Sequence, residues 1–378
     1  MATSTAFTLY RETIVQGVSL PPWPVFFAPA VSIPAPHAFE RLELSASELN
    51  ALPVEQPLSV AEGGSLLFAR RAEAWRQLGG SPLEQEMRAA LQQLRPASWR
   101  IGEQEHRFPL LMGILNCTPD SFSDGARYTH LDAALAHAQR LIEEGAQVLD
   151  VGGESTRPGA DAVDVEEECR RVLPVIEALA KRHAVPLSVD TRKAEVARRA
   201  LELGASVVND VSAGADPEML PLVAERRASW VAMHMRGQPQ TMQRDTHYAD
   251  LFGELIEYLE SALLRAYSAG VDLRRILIDP GLGFGKDMRQ NTALLVGSRH
   301  FACLGRGVLI GPSRKRFLGE LTGREVQHRD AASCAAVTAA LLSGASVLRV
   351  HDVAGARDAL LLSSAVSEQS ERGSWARF

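Results

Sequence analysis

From about residue 110 to the late 360s, short apolar runs alternate with longer stretches in which apolar residues recur every three or four positions. The first run, 110–115, stops at Asn116 and gives way to loop formers: Thr118, Pro119, Asp120, Ser121, Ser123, Asp124 and Gly125. Leu131, Ala134, Leu135, Ala138, Leu141 and Ile142 then fall on one helical face. Similar runs at 147–151, 186–190, 206–209, 230–235, 276–279, 307–310 and 347–350 read as buried parallel strands, each leading to a helical stretch. Three helix-to-strand junctions share one signature: Gly145-Ala-Gln-Val148, Gly204-Ala-Ser-Val207 and Gly344-Ala-Ser-Val347. Glycine there caps a helix in the left-handed region and lets a strand start at once. Eight such βα units over about 250 residues predict an α/β fold, a TIM (β/α)8 barrel. An open doubly wound sheet is the alternative, and the absence of Gly-x-Gly-x-x-Gly after the first strand argues against it.

The pattern divides the chain into an irregular and helical extension at 1–100, a barrel at 101–366 and a tail at 367–378. Pro21, Pro22, Pro24, Pro29, Pro34 and Pro36 crowd one stretch with Trp23, Phe26 and Phe27. Proline at that density forbids central strands and long helices. The aromatic residues argue for an extended segment packed on a surface rather than for disorder. Two helices follow. One spans 66–78, before Gly79-Gly80; the other spans 81–94, with Ser81 as N-cap, Pro82 at its first position and Glu84 completing a capping box. Residues 99–108 read as a hairpin or a cap, with Gly102 at a turn.

Composition narrows the chemistry. Forty Lys and Arg against 46 Asp and Glu leave a net charge of -6, with no long basic run, so nucleic acid is not an expected partner. A cationic site would be local and suited to an anionic small molecule. The four cysteines, Cys117, Cys169, Cys303 and Cys334, have no metal-ligand spacing, and Cys117 reads as a buried thiol. Few cysteines, no signal peptide and no apolar run of bilayer length give the expectation of a soluble, cytoplasmic protein without membrane contact.

In a barrel the C-terminal strand ends meet on one face, where sites are built. They carry Asn116, then 152–159 (Gly-Gly-Glu-Ser-Thr-Arg-Pro-Gly), then Asp190-Thr-Arg192 and Asn209-Asp210. Next come 233–236 (Met-His-Met-Arg), 279–286 (Asp-Pro-Gly-Leu-Gly-Phe-Gly-Lys), Ser313-Arg-Lys-Arg316 and Arg349-Val-His351-Asp352. Asp190, Asn209 and Asp279, with Lys315 as a further donor, offer the hydrogen-bonding set that a buried, flat, amide-like heterocycle requires. Arg157, Arg349, His351 and Asn116 suit a phosphate or diphosphate, with Mg²⁺ shared between Asn116 and phosphate oxygens. Taken singly, several of these residues have plainer readings. Asp352 is expected as a helix N-cap, Lys286 as cover for a helix surface, and His234 as a satisfied core residue with no role.

The motifs at 112–124, 150–159, 190–191, 209–210, 279–286, 313–315 and 349–351 are long, stand in a fixed order and cover the strand ends. Over about 110–365 the chain resembles the dihydropteroate synthases of the folate pathway. The resemblance implies a transferase joining 4-aminobenzoate to (7,8-dihydropterin-6-yl)methyl diphosphate, with Mg²⁺, in a homodimer formed through helices near 330–343. It implies that Asp190, Asn209, Asp279 and Lys315 hold the pterin, with Met233 against its face. Arg157, Arg349, His351 and Asn116 would take the diphosphate, with Asn116 also on the metal. Thr156, Pro158, Phe284, Ser313 and Lys315 would border the aminobenzoate. The catalytic set is then Asp190, Lys315, Arg349 and His351. A methyltetrahydrofolate methyltransferase barrel would not need Arg157 or Ser313-Arg-Lys315, and a silent scaffold homologue would have lost strand-end residues that are present here. Arg316 stands where many members carry Ser, and Cys117 where Val is common. The loops at 118–128 and 155–164 are expected to be mobile without ligand and ordered by diphosphate. No catalytic role is expected of residues 1–100.

Overall fold

The computed structural model describes residues 96–117, 127–155, 163–237 and 240–371, together with the strands that precede residue 69. The chain divides into two compact units, one of 1–96, 248–260 and 299–306, the other of 97–247, 261–298 and 307–378.

In the first unit the strands Ala6–Tyr10, Val25–Pro29, Arg41–Glu43, Glu55–Val60 and Gly64–Phe68 form an antiparallel sheet with Val25–Pro29 at its centre. The expectation that proline excludes a central strand fails here for a local reason. Pro24 precedes the strand and Pro29 ends it, so Val25, Phe26 and Phe27, which pair with Tyr10, Leu9 and Thr8, keep their N–H groups. The helix expected at 66–78 begins inside the strand Gly64–Phe68, because an apolar run this short has no readable period. Its remainder, the helix expected at 81–94 and the side chains of Trp23, Phe26 and Phe27 lie outside the described residues.

The second unit holds a closed parallel barrel in sequence order, as expected. Its strands are β1 (Leu110–Asn116), β2 (Val148–Gly152), β3 (Leu187–Asp190), β4 (Val207–Asp210), β5 (Ser229–Met233), β6 (Ile276–Asp279), β7 (Gly307–Ile310) and β8 (Val347–Val350), with β8 pairing back onto β1. The helices are α1 (Arg127–Glu144), α2 (Val165–Arg182), α3 (Ala194–Glu202), α4 (Met219–Glu225), α5 (Leu251–Ser268), α6 (Met288–Val296), α7 (Arg316–Thr322), α8 (Asp330–Leu342) and α9 (Val353–Glu371). Gly145, Gly204 and Gly344 have φ of 112°, 112° and 97°, and the alanine after each donates its N–H five residues back into the helix. The shared junction signature is thus one recurrent helix stop.

Side chains alternate along a strand, so residues two apart share a face. Leu110, Met112, Val148, Val207, Val231, Leu277, Leu309 and Val347 form one buried cluster with Trp99 and Ile101. The latter two come from the hairpin Ser98–Ile101/Gln104–Arg107, which turns at Gly102 (φ 58°) as the sequence predicts. Trp99 Nε1 donates to the Arg275 carbonyl at 2.9 Å, and Arg275 Nη1 donates to the Gly102 carbonyl at 2.5 Å. The hairpin therefore closes the N-terminal end of the barrel with an apolar plug. Two residues further along, the same inward face changes character: Val148 is followed by Asp150, Val207 by Asn209, Leu277 by Asp279 and Val347 by Arg349. The barrel is apolar at one end and polar at the other, and the site begins where that change occurs.

Candidate active site

Arg349 lies at the centre of the polar layer. Its Nε donates to Asp150 Oδ2 and its Nη2 to Asp190 Oδ2, each at 2.6 Å. Asn209 Nδ2 donates to the same Asp150 oxygen at 3.0 Å. One guanidinium thus holds two carboxylates from β2 and β3 and, through Asp150, the amide from β4. Asp150 is fully buried, and its Oδ1 has no partner among the described residues. Burial pushes Asp190 above the usual carboxylate range; Arg349 pulls it down, while the neighbouring Asp150 carboxylate adds to the upward push.

Asp279 closes the ring from β6. It is buried, and its Oδ1 accepts the Gly281 N–H at 2.7 Å. Burial raises its carboxyl, against the pull of that hydrogen bond and of Lys315. Lys315, at the start of α7, places its Nζ 4.2 Å from the centre of the Phe284 ring. Burial brings Lys315 down to about 8, opposed chiefly by Asp279. Ser313 Oγ accepts the His351 backbone N–H at 3.2 Å and lies 3.0 Å from its Nδ1, so β7 and β8 tie their ends together. Between them Arg314 has φ of 56°, a left-handed conformation rare outside glycine. Its N–H donates to Ser333 Oγ at 3.0 Å, and its side chain pairs with Asp330 at 2.8 Å, so α8 fixes the turn that presents Lys315.

Beside the polar ring, Met233 packs with Val211, Met242, Phe284 and Met235 in a separate apolar cluster. A polar edge with an apolar wall next to it matches the two surfaces of a flat heterocycle.

Asp190, Asn209, Met233, Asp279, Phe284, Ser313, Lys315, Arg349 and His351 therefore all come to the C-terminal end of the barrel. Asn116 ends β1 there, half-buried. Thr156, Arg157 and Pro158 lie outside the described residues, as do 118–126. The two ends of the segment 156–162 share one anchor. Glu154 accepts from Lys193 at 2.6 Å, from Arg192 at 3.2 Å and from the Val163 N–H at 3.4 Å, and Lys193 also pairs with the buried Glu168. Cys117 is the buried thiol expected, its value pushed up to about 12 by burial. Asp352 Oδ1 accepts the Gly355 N–H at 3.0 Å, the N-cap expected of it.

Asp150, Arg314 and Lys286 have no role that the sequence motifs alone make visible. The strand pattern does place Asp150, since it follows Val148 on the inward face as Asn209 follows Val207. Lys286 covers no helix surface: it is 2% exposed, with Nζ 2.9 Å from His234 Nδ1 and donating to the Phe284 carbonyl at 2.9 Å. Only the packing of the 281–286 turn onto β5 brings those groups together.

A closed barrel whose C-terminal end gathers carboxylate, amide and cationic side chains beside an apolar wall has the form of an enzyme acting on a small molecule. The sequence profile described as "Pterin binding enzyme" matches residues 112–351. The dihydropteroate synthase of Escherichia coli strain K12 is 44% identical over 245 residues, 65% of this chain and 87% of that relative. The solved Xanthomonas albilineans dihydropteroate synthase with 4-aminobenzoic acid has a TM-score of 0.68 and 50% identity, covering 72% of this chain and 98% of that one. The same organism's enzyme in complex with 7,8-dihydropteroate gives 0.63 and 49%, over 69% of this chain and 94% of that one. The chain belongs to the pterin-binding enzymes and, among them, to the dihydropteroate synthases, transferases of folate synthesis.

Proposed function

We propose that this chain condenses 4-aminobenzoate with (7,8-dihydropterin-6-yl)methyl diphosphate, and that the polar ring performs the reaction by positioning and by stabilising the leaving group. The observation that carries the reading is the meeting of Asp190, Asn209, Asp279 and Lys315 at one barrel end, beside the apolar cluster of Met233 and Phe284. Solved relatives with 4-aminobenzoic acid and with 7,8-dihydropteroate support it.

Asp190, Asn209 and Asp279 take the pterin's edge and Met233 its face, with Lys315 donating to the ring. The bond from the methylene carbon to the diphosphate oxygen breaks, and its electron pair leaves with the diphosphate. The aminobenzoate nitrogen, already a neutral nucleophile, forms the new C–N bond and loses a proton. Arg157, Arg349 and His351 stabilise the departing anion, and Thr156, Pro158, Phe284, Ser313 and Lys315 border the incoming amine. Arg349 has two of its nitrogens on Asp150 and Asp190, so it serves the diphosphate through Nη1 or by exchanging a partner. No strong base is required; proximity and charge stabilisation carry the step.

Asn116 fits a magnesium ion. Asn116, half-buried at the end of β1, would hold it through a neutral amide oxygen, with diphosphate and water completing its ligands. When bound, the ion would neutralise charge on the leaving group. The partner we propose is a second copy of the chain, docked on α8 and α9, where Leu342, Leu361, Leu362 and Val366 are exposed. Among the described residues no helix is long and apolar enough to cross a membrane, and the free cysteines support placing the chain in a reducing compartment, the cytoplasm.

Diphosphate release tests the reading. It should require pterin substrate, aminobenzoate and Mg²⁺ together, and Asn116→Ala should raise the Mg²⁺ concentration needed. Equal release without aminobenzoate would indicate a hydrolase instead.

A further inference from the structure

Lys286 is a buried ionisable group for which this chemistry has no use. At 2% exposure it ends the turn that follows β6, with its amine between the Phe284 carbonyl and His234 Nδ1. His234 is itself 5% exposed, at the end of β5. Burial holds Lys286 well below the lysine range, and burial with the adjacent lysine holds His234 down at about 2. Both groups are shifted toward their neutral forms, with Lys286 Nζ and His234 Nδ1 2.9 Å apart. A fold that only needed to fill this volume would use an aliphatic side chain, since a buried amine is disfavoured unless its hydrogen bonds have a use.

Several other hydrogen bonds also shape the turn. Gly283 N–H donates to Asn291 Oδ1 at 2.6 Å, Gln243 Nε2 donates to the Gly283 carbonyl at 2.8 Å, and Phe284 N–H donates to the Gly281 carbonyl at 3.1 Å. The capping box of Asp287 and Gln290 fixes the helix that follows. Lys286 adds a bond to the carbonyl of Phe284, the residue whose ring meets Lys315. That bond sets the backbone from which the ring projects and ties it to β5.

We propose that Lys286, braced by His234, is a positioning residue that holds the Phe284 ring against Lys315 and so shapes the aminobenzoate subsite. This rests on placing the aminobenzoate on the Phe284 side of the ring. Lys286→Met keeps the chain's length and removes its hydrogen bonds. In full-length enzyme, steady-state kinetics should show KM for aminobenzoate rising tenfold or more and KM for the pterin diphosphate moving less than twofold. Lys286→Gln, which keeps one donor, should recover part of the loss. A merely structural lysine would lower the yield of active enzyme and leave both KM values in place, and that result overturns the proposal, as does a change confined to the pterin KM. If Lys286→Met does not fold, His234→Ala removes the brace from the other side and must show the same split; unchanged KM values there overturn the proposal too. Phe284→Leu separates the two ideas. If it leaves the aminobenzoate KM unchanged, the subsite placement has failed. If it raises that KM while Lys286→Met does not, the role of Lys286 has failed.

Discussion

Two lysines in one turn-rich corner of the barrel carry different duties, and titration tells them apart. Lys315 stands against Phe284 and is lowered to about 8 by burial, so its charged form is present below that value and lost above it. The profile of kcat/KM for the pterin diphosphate should fall on an alkaline limb near 8. On the acid side it should fall above the ordinary carboxylate range, because Asp190 is raised by burial. Lys315→Arg should shift the alkaline limb upward; an unmoved limb would remove Lys315 from the assignment. Lys286 should be visible in stability instead. Its depressed native value means that the unfolded chain binds the extra proton, so stability rises with pH toward the ordinary lysine range. Asp279, Lys315, Arg236 and His234 face the same amine. The urea midpoint of the wild type should therefore increase from pH 7 to pH 9 relative to that of Lys286→Met, and equal slopes would show that the amine is charged in the native state.

At the scale of elements, the 281–286 turn is the most constrained piece of the site. Gly281 has φ of 71°, and a Cβ there would fall onto the carbonyl oxygen of His234, a backbone atom that cannot move aside cheaply. Gly281→Ala combines a left-handed residue with a backbone clash, and each costs about 1–3 kcal/mol. It also pulls its N–H away from Asp279 Oδ1. Chemical denaturation should show a loss of about 3 kcal/mol or more together with weaker pterin binding; a stable, fully active variant would contradict this geometry. The barrel itself was legible because its information is local and repeated. Eight apolar runs appear within a residue or two of their observed limits, and three glycine junctions recur. The ring was legible because each polar residue ends an apolar run. Three features were not. The pairing of Arg349 with Asp150 links residues 199 apart in the chain. The left-handed Arg314 carries no composition signal. The burial of Lys286 follows from tertiary packing, and a lysine after a glycine-rich turn looks the same whether it faces solvent or core. Before residue 97 the reading failed where it weighed proline number above proline position, since the strand Val25–Pro29 keeps its prolines at or beyond its ends.

For the whole molecule, the assembly and the reaction are the matters that solution work decides. Leu361 and Leu362 are 58% and 61% exposed on α9, an apolar surface of the kind that subunits cover. The double variant Leu361→Asp, Leu362→Asp should convert a dimer to a monomer in light scattering; a wild type that is already monomeric would refute the proposed contact. The polar ring at the barrel mouth is proposed to make dihydropteroate. The most direct measurement is chromatographic detection of product from purified chain given 4-aminobenzoate, (7,8-dihydropterin-6-yl)methyl diphosphate and Mg²⁺, with Lys315→Ala assayed beside it. Removing a charged hydrogen-bond donor costs about 1.5–3 kcal/mol or more, roughly ten- to a hundredfold in rate. The account predicts one 7,8-dihydropteroate per diphosphate released and at least that loss in the variant; folded wild type that yields no dihydropteroate, or a variant as active as wild type, would contradict it.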